Sequence, residues 1–200
     1  MHVIEKSQSG WSSGLSGDDR VLLYRIAMDT LWGCVQDPHK SLVWEQYAIP
    51  SALRVEAASF VTLHLRDGRL RGCIGTLEPV SVLYQSVHDN TVAAALQDPR
   101  FMPVASAELP QIDLTVSILS PAEAIASAAV FVPGQHGIIL ERQGRRAVFL
   151  PEVAAEQGWT REETLSALCV KAGLAAQAWR SDTHFAIFHT AILSGMADGL

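Results

Sequence analysis

At Ala58 the hydrophobic period of this chain changes from helical to alternating, and no other feature restricts its possible folds as tightly. Val61, Leu63 and Leu65 alternate with Thr62, His64 and Arg66, the pattern of a half-buried strand. Asp67-Gly68 follows, a pair favoured in two-residue hairpin turns because both central positions need positive φ. Arg69 to Ile74 is therefore predicted to return as the partner strand, ended by Gly75, Thr76 and Pro79. In that register Arg66 pairs with Arg69, His64 with Arg71 and Thr62 with Cys73, so these last four share one face of the sheet.

Helical patterning flanks the hairpin. Asp18 and Asp19 open an amphipathic run through Val21, Leu22, Ile26, Met28 and Trp32, with acids where the helix dipole favours them, and Asp37-Pro38 ends it. His39 to Pro50 reads as loop with a short helix. Ser81 to Gln97 has apolar residues at helical spacing, and the two prolines of Asp98-Pro99-Arg100-Phe101-Met102-Pro103 force the chain out of that helix. Ile112, Leu114, Val116 and Ile118 alternate as a third strand. A second hairpin spans Gly137 to Leu150 across Gln143-Gly144, and a helical turn starts at Pro151. Thr160 with Glu163 forms a capping box for a helix that Gly173 closes, and His184 to Leu193 is a last strand. The resulting class is α+β with mainly antiparallel pairing.

Bulk properties narrow the function classes. The 200 residues suit one domain, or one domain with a small lobe, and 48% hydrophobic residues can fill a substantial core. A formal charge of −6, with no basic, aromatic-interleaved patch, argues against nucleic acid and against an anionic membrane as partner. No apolar run approaches the roughly 20 residues that span a bilayer. Residues 1–17, rich in Ser and Gly, are expected to be a flexible tail ahead of a domain over 18–200. Cys34, Cys73 and Cys169 are odd in number and contain no C-x-x-C pair, which disfavours a disulfide framework or a cysteine zinc site and suits a reducing cytoplasm.

The segment Leu70-Arg71-Gly72-Cys73-Ile74-Gly75, with Phe60-Val61-Thr62-Leu63 and Asp67-Gly68 before it, resembles the signature of the AMMECR1 family. The segments that follow match in the family's order: Asp98 to Pro103, Glu108-Leu109, Val116 to Pro121, Gly134-Gln135-His136-Gly137, Phe149 to Val153, Trp159 and Lys171 to Leu174. The resemblance runs from about residue 18 to 193. It implies a two-lobed α+β domain with antiparallel sheets and flanking helices. It also implies a gene neighbourhood, the AmmeMemoRadiSam system, shared with a Memo-like protein and a radical SAM protein; it carries no assigned reaction and no assigned cofactor.

Within the signature, Cys73 is the candidate nucleophile, because a thiolate is the strongest side-chain nucleophile at neutral pH. Its alternative is a small buried apolar side chain, the usual fate of a free cysteine. Arg71 on the same face would favour the anion, and Gly72 and Gly75 would let a ligand or another backbone approach. His136, in a predicted loop between Gly134 and Gly137, is a candidate base for Cys73, or else an exposed turn histidine. Arg100 suits a carboxylate or phosphate fork, and with His64 and Glu108 completes a candidate binding set for a small polar substrate; capping and surface ion pairing would account equally for these charges. His184 and His189 are an odd number apart on a predicted strand and would face opposite ways, so no metal site is expected. Two functions follow: a Cys73-centred enzyme assisted by Arg71 and by a histidine, His136 or His64, or an accessory subunit presenting substrate to a Memo-like or radical SAM protein.

Overall fold

The computed structural model describes residues 3–7, 9–37 and 42–195. These form two compact units, one of residues 3–6, 12–37, 42–119 and 191–195, the other of residues 7, 9–11 and 120–190. Both are α+β, as the sequence periods require.

The first unit is a five-stranded sheet with two helices. Strands β1 (Val3–Lys6), β2 (Ser59–Leu65), β3 (Leu70–Gly75), β4 (Ile112–Leu119) and β9 (Thr190–Gly195) lie in the order β1-β9-β4-β2-β3. Helix α1 (Gly17–Gln36) is opened by Ser16, whose hydroxyl accepts from Asp19 N–H while the Asp19 carboxylate accepts from Ser16 N–H; Asp37 caps its end. Helix α2 (Leu83–Leu96) packs against α1 and against β2 and β3. Val61 and Leu63 of β2, Leu114 and Val116 of β4, and Leu23, Ile26 and Leu31 of α1 are buried. The alternating apolar positions are thus the core face of the sheet.

The hairpin differs from expectation in its turn. Gly68 has φ 86° while Asp67 stays at negative φ, and the loop closes through Leu65 N–H to the Arg69 carbonyl. A three-residue turn with a left-handed glycine replaces the two-residue form, because Asp67 instead spends its carboxylate on Arg69. Thr62 still pairs with Cys73 and Leu63 with Gly72, but His64 pairs with Leu70. Arg71 is left as the extra residue of a β-bulge, a device that re-aims a side chain.

Two further expectations are corrected. Val3–Lys6, part of the predicted tail, pairs antiparallel with β9 and buries Val3; composition cannot register a partner strand that lies at the other end of the chain. The predicted strand His184 to Leu193 divides at His189, with β8 (His184–Phe188) in the second unit's sheet and β9 in the first unit's. Of the segment His39 to Pro50, residues 39–41 lie outside the described residues, and Trp44–Gln46 is a 3-10 turn.

In the second unit β5 (Glu123–Ile125), β6 (Gly137–Arg142), β7 (Arg145–Phe149) and β8 form an antiparallel sheet in the order β5-β8-β6-β7. Gln143 (φ 51°) and Gly144 (φ 73°) supply the paired positive φ of a two-residue turn. Helix α3 (Pro151–Gln157) begins on its proline. Helix α4 (Arg161–Lys171) begins on the Thr160–Glu163 capping box, and Gly173 follows it at φ 71°. Phe131, Ile138, Leu140, Leu165, Leu168 and Phe185 make its core.

Gly72 sets how closely α2 approaches the sheet, since a Cβ there would sit 2.2 Å from the Ala94 carbonyl oxygen. Gly72→Ala should destabilise the protein by about 1–3 kcal/mol through overpacking against backbone. Gly33→Ala in α1, where an added Cβ meets nothing within 4 Å, should stabilise by roughly 0.5–1 kcal/mol. Urea midpoints of the two variants check the opposite signs.

Candidate functional site

β3 ends the sheet, so one of its edges carries no neighbouring strand. At Cys73 that edge is occupied by the chain leaving α2. The Cys73 N–H donates to Asp98 Oδ2 at 2.9 Å, and Arg100 Nη2 donates to the Cys73 carbonyl at 3.2 Å. Arg100 also grips Asp98 through Nε to Oδ1 (2.9 Å) and Nη2 to Oδ2 (2.7 Å), with its own backbone N–H on Oδ1. An aspartate and an arginine two residues apart thereby stand in for the missing strand. Pro99 between them keeps the turn from continuing as helix.

The Asp98 side chain is only 2% exposed. The Arg100 guanidinium holds its carboxyl well below the usual carboxylate range, the Cys73 and Arg100 N–H groups act in the same direction, and burial opposes them. Asp98 in turn raises Arg100.

A second fork lies beside the first. Arg71, turned out by the bulge, donates through Nε to Glu108 Oε1 (2.7 Å) and through Nη2 to Glu108 Oε2 (2.9 Å) and the Pro103 carbonyl (3.3 Å). The Ala105 N–H donates to Glu108 Oε2 at 2.8 Å. Arg71 holds the Glu108 carboxyl below its ordinary value, helped by that N–H. Phe101 lies between the two cations, its ring centroid 6.0 Å from Arg71 Cζ and 5.4 Å from Arg100 Cζ. Sequence reasoning passed over Phe101, for which its place between Arg100 and Met102 was the only signal.

The thiol of Cys73 is half-buried and accepts a hydrogen bond from Thr62 Oγ1 at 3.4 Å. Cys34 and Cys169 are buried; burial pushes the Cys34 thiol up to about 11 and raises that of Cys169. His64 lies two residues from Thr62 on β2, on the same face, opposite Leu70 and Asp113, and no hydrogen bond joins it to Cys73. Gly72 faces the other way, filled by α2, and a Cβ on Gly75 would meet the Phe60 ring at 2.2 Å. Both glycines serve internal packing.

His136 belongs to the second unit. Its Nδ1 accepts from the Val132 N–H at 3.1 Å, so the neutral ring presents Nε2–H, a donor, rather than a free basic nitrogen. Burial, and then His189, lower its pKa; the two imidazole centroids are 5.0 Å apart, nearly edge-on. His189 Nδ1 is buried without a hydrogen-bond partner among the described residues. Glu152, also of this unit, is raised by burial and takes a hydrogen bond from Thr190 at 3.3 Å. Sequence patterning gave neither of these two groups a role, because their burial is tertiary. Among the described residues no group of three His, Cys, Asp or Glu is placed to hold a metal ion, and no helix is long and apolar enough to cross a membrane.

A two-unit α+β domain with a cysteine edge strand held by a loop ion pair defines the class to which comparison can be made. The AMMECR1 family model matches residues 24–193, and the chain belongs to the AMMECR1 family. A protein of Methanothermobacter thermautotrophicus is 43% identical over 132 residues, covering 63% of this chain and 68% of its own length. Protein MJ0810 of Methanocaldococcus jannaschii is 38% identical over 150 residues, covering 72% and 74%. The crystal structure of the uncharacterized protein PH0010 from Pyrococcus horikoshii superimposes with a TM-score of 0.80 at 29% identity, covering 88% of this chain and 90% of that one.

Because the folded-state pKa of Asp98 is depressed, its contribution to stability is complete above the unfolded carboxylate value of about 4 and is lost as pH falls below it. Asp98→Asn should cost about 1–3 kcal/mol at neutral pH, the scale for a broken charged hydrogen bond at a buried site. The gap between wild type and variant should narrow as the pH of the unfolding series is lowered from 5 to 2, roughly the range over which such a carboxylate titrates.

Proposed function

We propose that this protein is an enzyme whose reacting group is the Cys73 thiol, acting on a small polar substrate with an electrophilic carbon. The observation that carries the reading is the investment in Cys73 itself. Its N–H, its carbonyl and its sulfur each have a dedicated partner, Asp98, Arg100 and Thr62, while the thiol stays half-exposed. The two backbone bonds fix where the residue sits, and the Thr62 hydroxyl on the sulfur is the contact specific to a thiol.

In the step this supports, the sulfur adds to a carbonyl carbon and forms a C–S bond. The carbonyl π pair moves to its oxygen, and the proton that leaves the thiol ends on that oxygen, so no other reactant is needed. Thr62 orients the sulfur. Arg100, 53% exposed at its side chain, presents the free part of its guanidinium to a polar group of the substrate. Arg71 and Glu108 neutralise one another and act by holding the Asp98–Pro103 loop.

One feature supports a second reading. Met102, on the same loop, is 81% exposed, an apolar tip beside the site. It suits a docking contact, and the partners implied by the family resemblance are a Memo-like protein and a radical SAM protein, to which this chain would present substrate. Met102→Glu would then abolish co-purification with such a partner while leaving thiol reactivity unchanged.

Iodoacetamide labelling of the folded protein, followed residue by residue by peptide mass spectrometry, tests the enzyme reading. Cys73 should be modified while Cys34 and Cys169 remain protected until the chain unfolds, and Cys73→Ser should reproduce the phenotype of deleting the gene. A Cys73 as protected as the other two, or a fully active serine variant, overturns it.

A further inference from the structure

On the helical side of the first unit's sheet, α1, α2 and the segment 42–46 enclose a cleft of about 700 Å³. That volume lies within the range of small-molecule sites. Gly72 points toward α2 and Cys73, the next residue along the strand, points the other way, so the cleft is on the opposite face from the thiol.

Its walls have an unusual composition for a surface cleft. Two indoles line it, Trp32 from α1 and Trp44 from the 3-10 turn. Trp44 is fixed by its neighbours, edge-on to Tyr84 at 5.0 Å and tilted against His88 at 5.2 Å. Trp32 is 38% exposed, a large apolar ring left at the mouth. Polar groups are set among these rings. Thr30 is 3% exposed, and its Oγ1 is buried with no hydrogen-bond partner among the described residues, in a wall of the cleft. A buried hydroxyl without a partner is costly, and a ligand's polar edge would relieve that cost. His88 Nδ1 is 2.7 Å from Asp89 Oδ1, and since a carboxylate can only accept, Nδ1 carries a proton, which in the neutral ring makes Nε2 an acceptor. Gln36 and Gln46 add amides that both donate and accept.

Charge narrows the ligand further. Asp29 and Arg25 are the carboxylate and guanidinium in the wall, and they pair with each other at 3.5 Å, with Tyr47 also donating to Asp29 at 2.7 Å. Among the described residues, Asp29 and Arg25 are thus paired, and neither calls for a counter-ion. Flat rings suit a flat ligand, and mixed donors and acceptors suit a heterocycle edge that offers both.

We propose that this cleft binds a neutral, planar nitrogen heterocycle of about nucleoside size, its ring against Trp32 and Trp44 and its donor–acceptor edge against Thr30 and His88. The site is independent of the chemistry at Cys73. It would make the protein responsive to a second small molecule, on the face of the sheet that the thiol does not use.

Saturation-transfer NMR and titration calorimetry on the full chain test this, with adenosine and cytidine as probes and with ribose and choline as controls for the missing ring and for a cation. Saturable binding of a nucleoside is expected, with ribose and choline silent. Trp32→Ala, at an exposed position, should weaken it about ten-fold, the scale of one lost base–aromatic stack. Thr30→Val keeps the side-chain shape and breaks no hydrogen bond within the described protein, and it should weaken binding several-fold. Cys73→Ser should leave it unchanged, which separates this site from the enzyme reading. Absence of saturable nucleoside binding, binding indifferent to both Trp32→Ala and Thr30→Val, or preference for choline would each overturn the proposal.

Discussion

The carboxylate of Asp98 is the interaction on which the organisation of the first unit's site depends. An edge strand presents backbone groups with no strand to bond them. At Cys73 those groups are bonded by side chains instead, the N–H by Asp98 and the carbonyl by Arg100. Because Asp98 is buried, it must remain paired, and the guanidinium two residues along supplies the pairing with both of its forked donors. One short loop therefore closes the sheet edge, orients the cysteine and places a cation beside it. It also excludes strand addition at this point, which a glycine-flanked edge would otherwise invite.

The glycines of the signature have a mechanical part in the same arrangement. Gly72 lets the α2 backbone come so close that any side chain would collide with the Ala94 carbonyl. Gly75 makes room for Phe60. The close approach brings the end of α2 over β3, and the loop that begins at Asp98 can then reach the strand edge within two residues of leaving the helix. The bulge at Arg71 completes the geometry by carrying its guanidinium toward Glu108, on the far side of the same loop. Packing and polar chemistry are coupled here because each positions the other.

The charged residues of the site are consumed in pairs. Arg100 with Asp98 and Arg71 with Glu108 leave little net charge around the thiol, and Phe101 lies between the two guanidinium groups. A substrate drawn to this site would be recognised by hydrogen bonding to groups already held in place rather than by bulk attraction, in keeping with an acidic chain. The second unit has its own polar cluster, in which His136 has spent its Nδ1 on a backbone N–H and His189 has a buried nitrogen with no partner among the described residues.

Elements whose signals are local were legible in the sequence. The alternation of β2 and β4, the acids that open α1, the capping box of α4, and the paired positive φ at Gln143-Gly144 each depend on a few neighbouring residues, and each appears where the pattern places it. The order of segments around Leu70–Gly75 was enough to indicate the family. The count across a two-residue turn gives the pairing of Thr62 with Cys73, which holds because the bulge at Arg71 offsets the longer turn. What local patterns could not decide was partnership. Val3–Lys6 is a strand only because β9 lies beside it, and the run from His184 divides because its two halves serve different sheets. His64 misses Arg71 because one bulge shifts the register, and Gly72 is defined by a carbonyl 22 residues further along the chain. The candidate charges looked equally like ligands or surface ion pairs until the fold showed Asp98 buried against the backbone of Cys73. The reason is physical: propensity and period are set by a residue and its chain neighbours, whereas burial, pairing and hydrogen-bond satisfaction depend on groups that only the folded chain brings together.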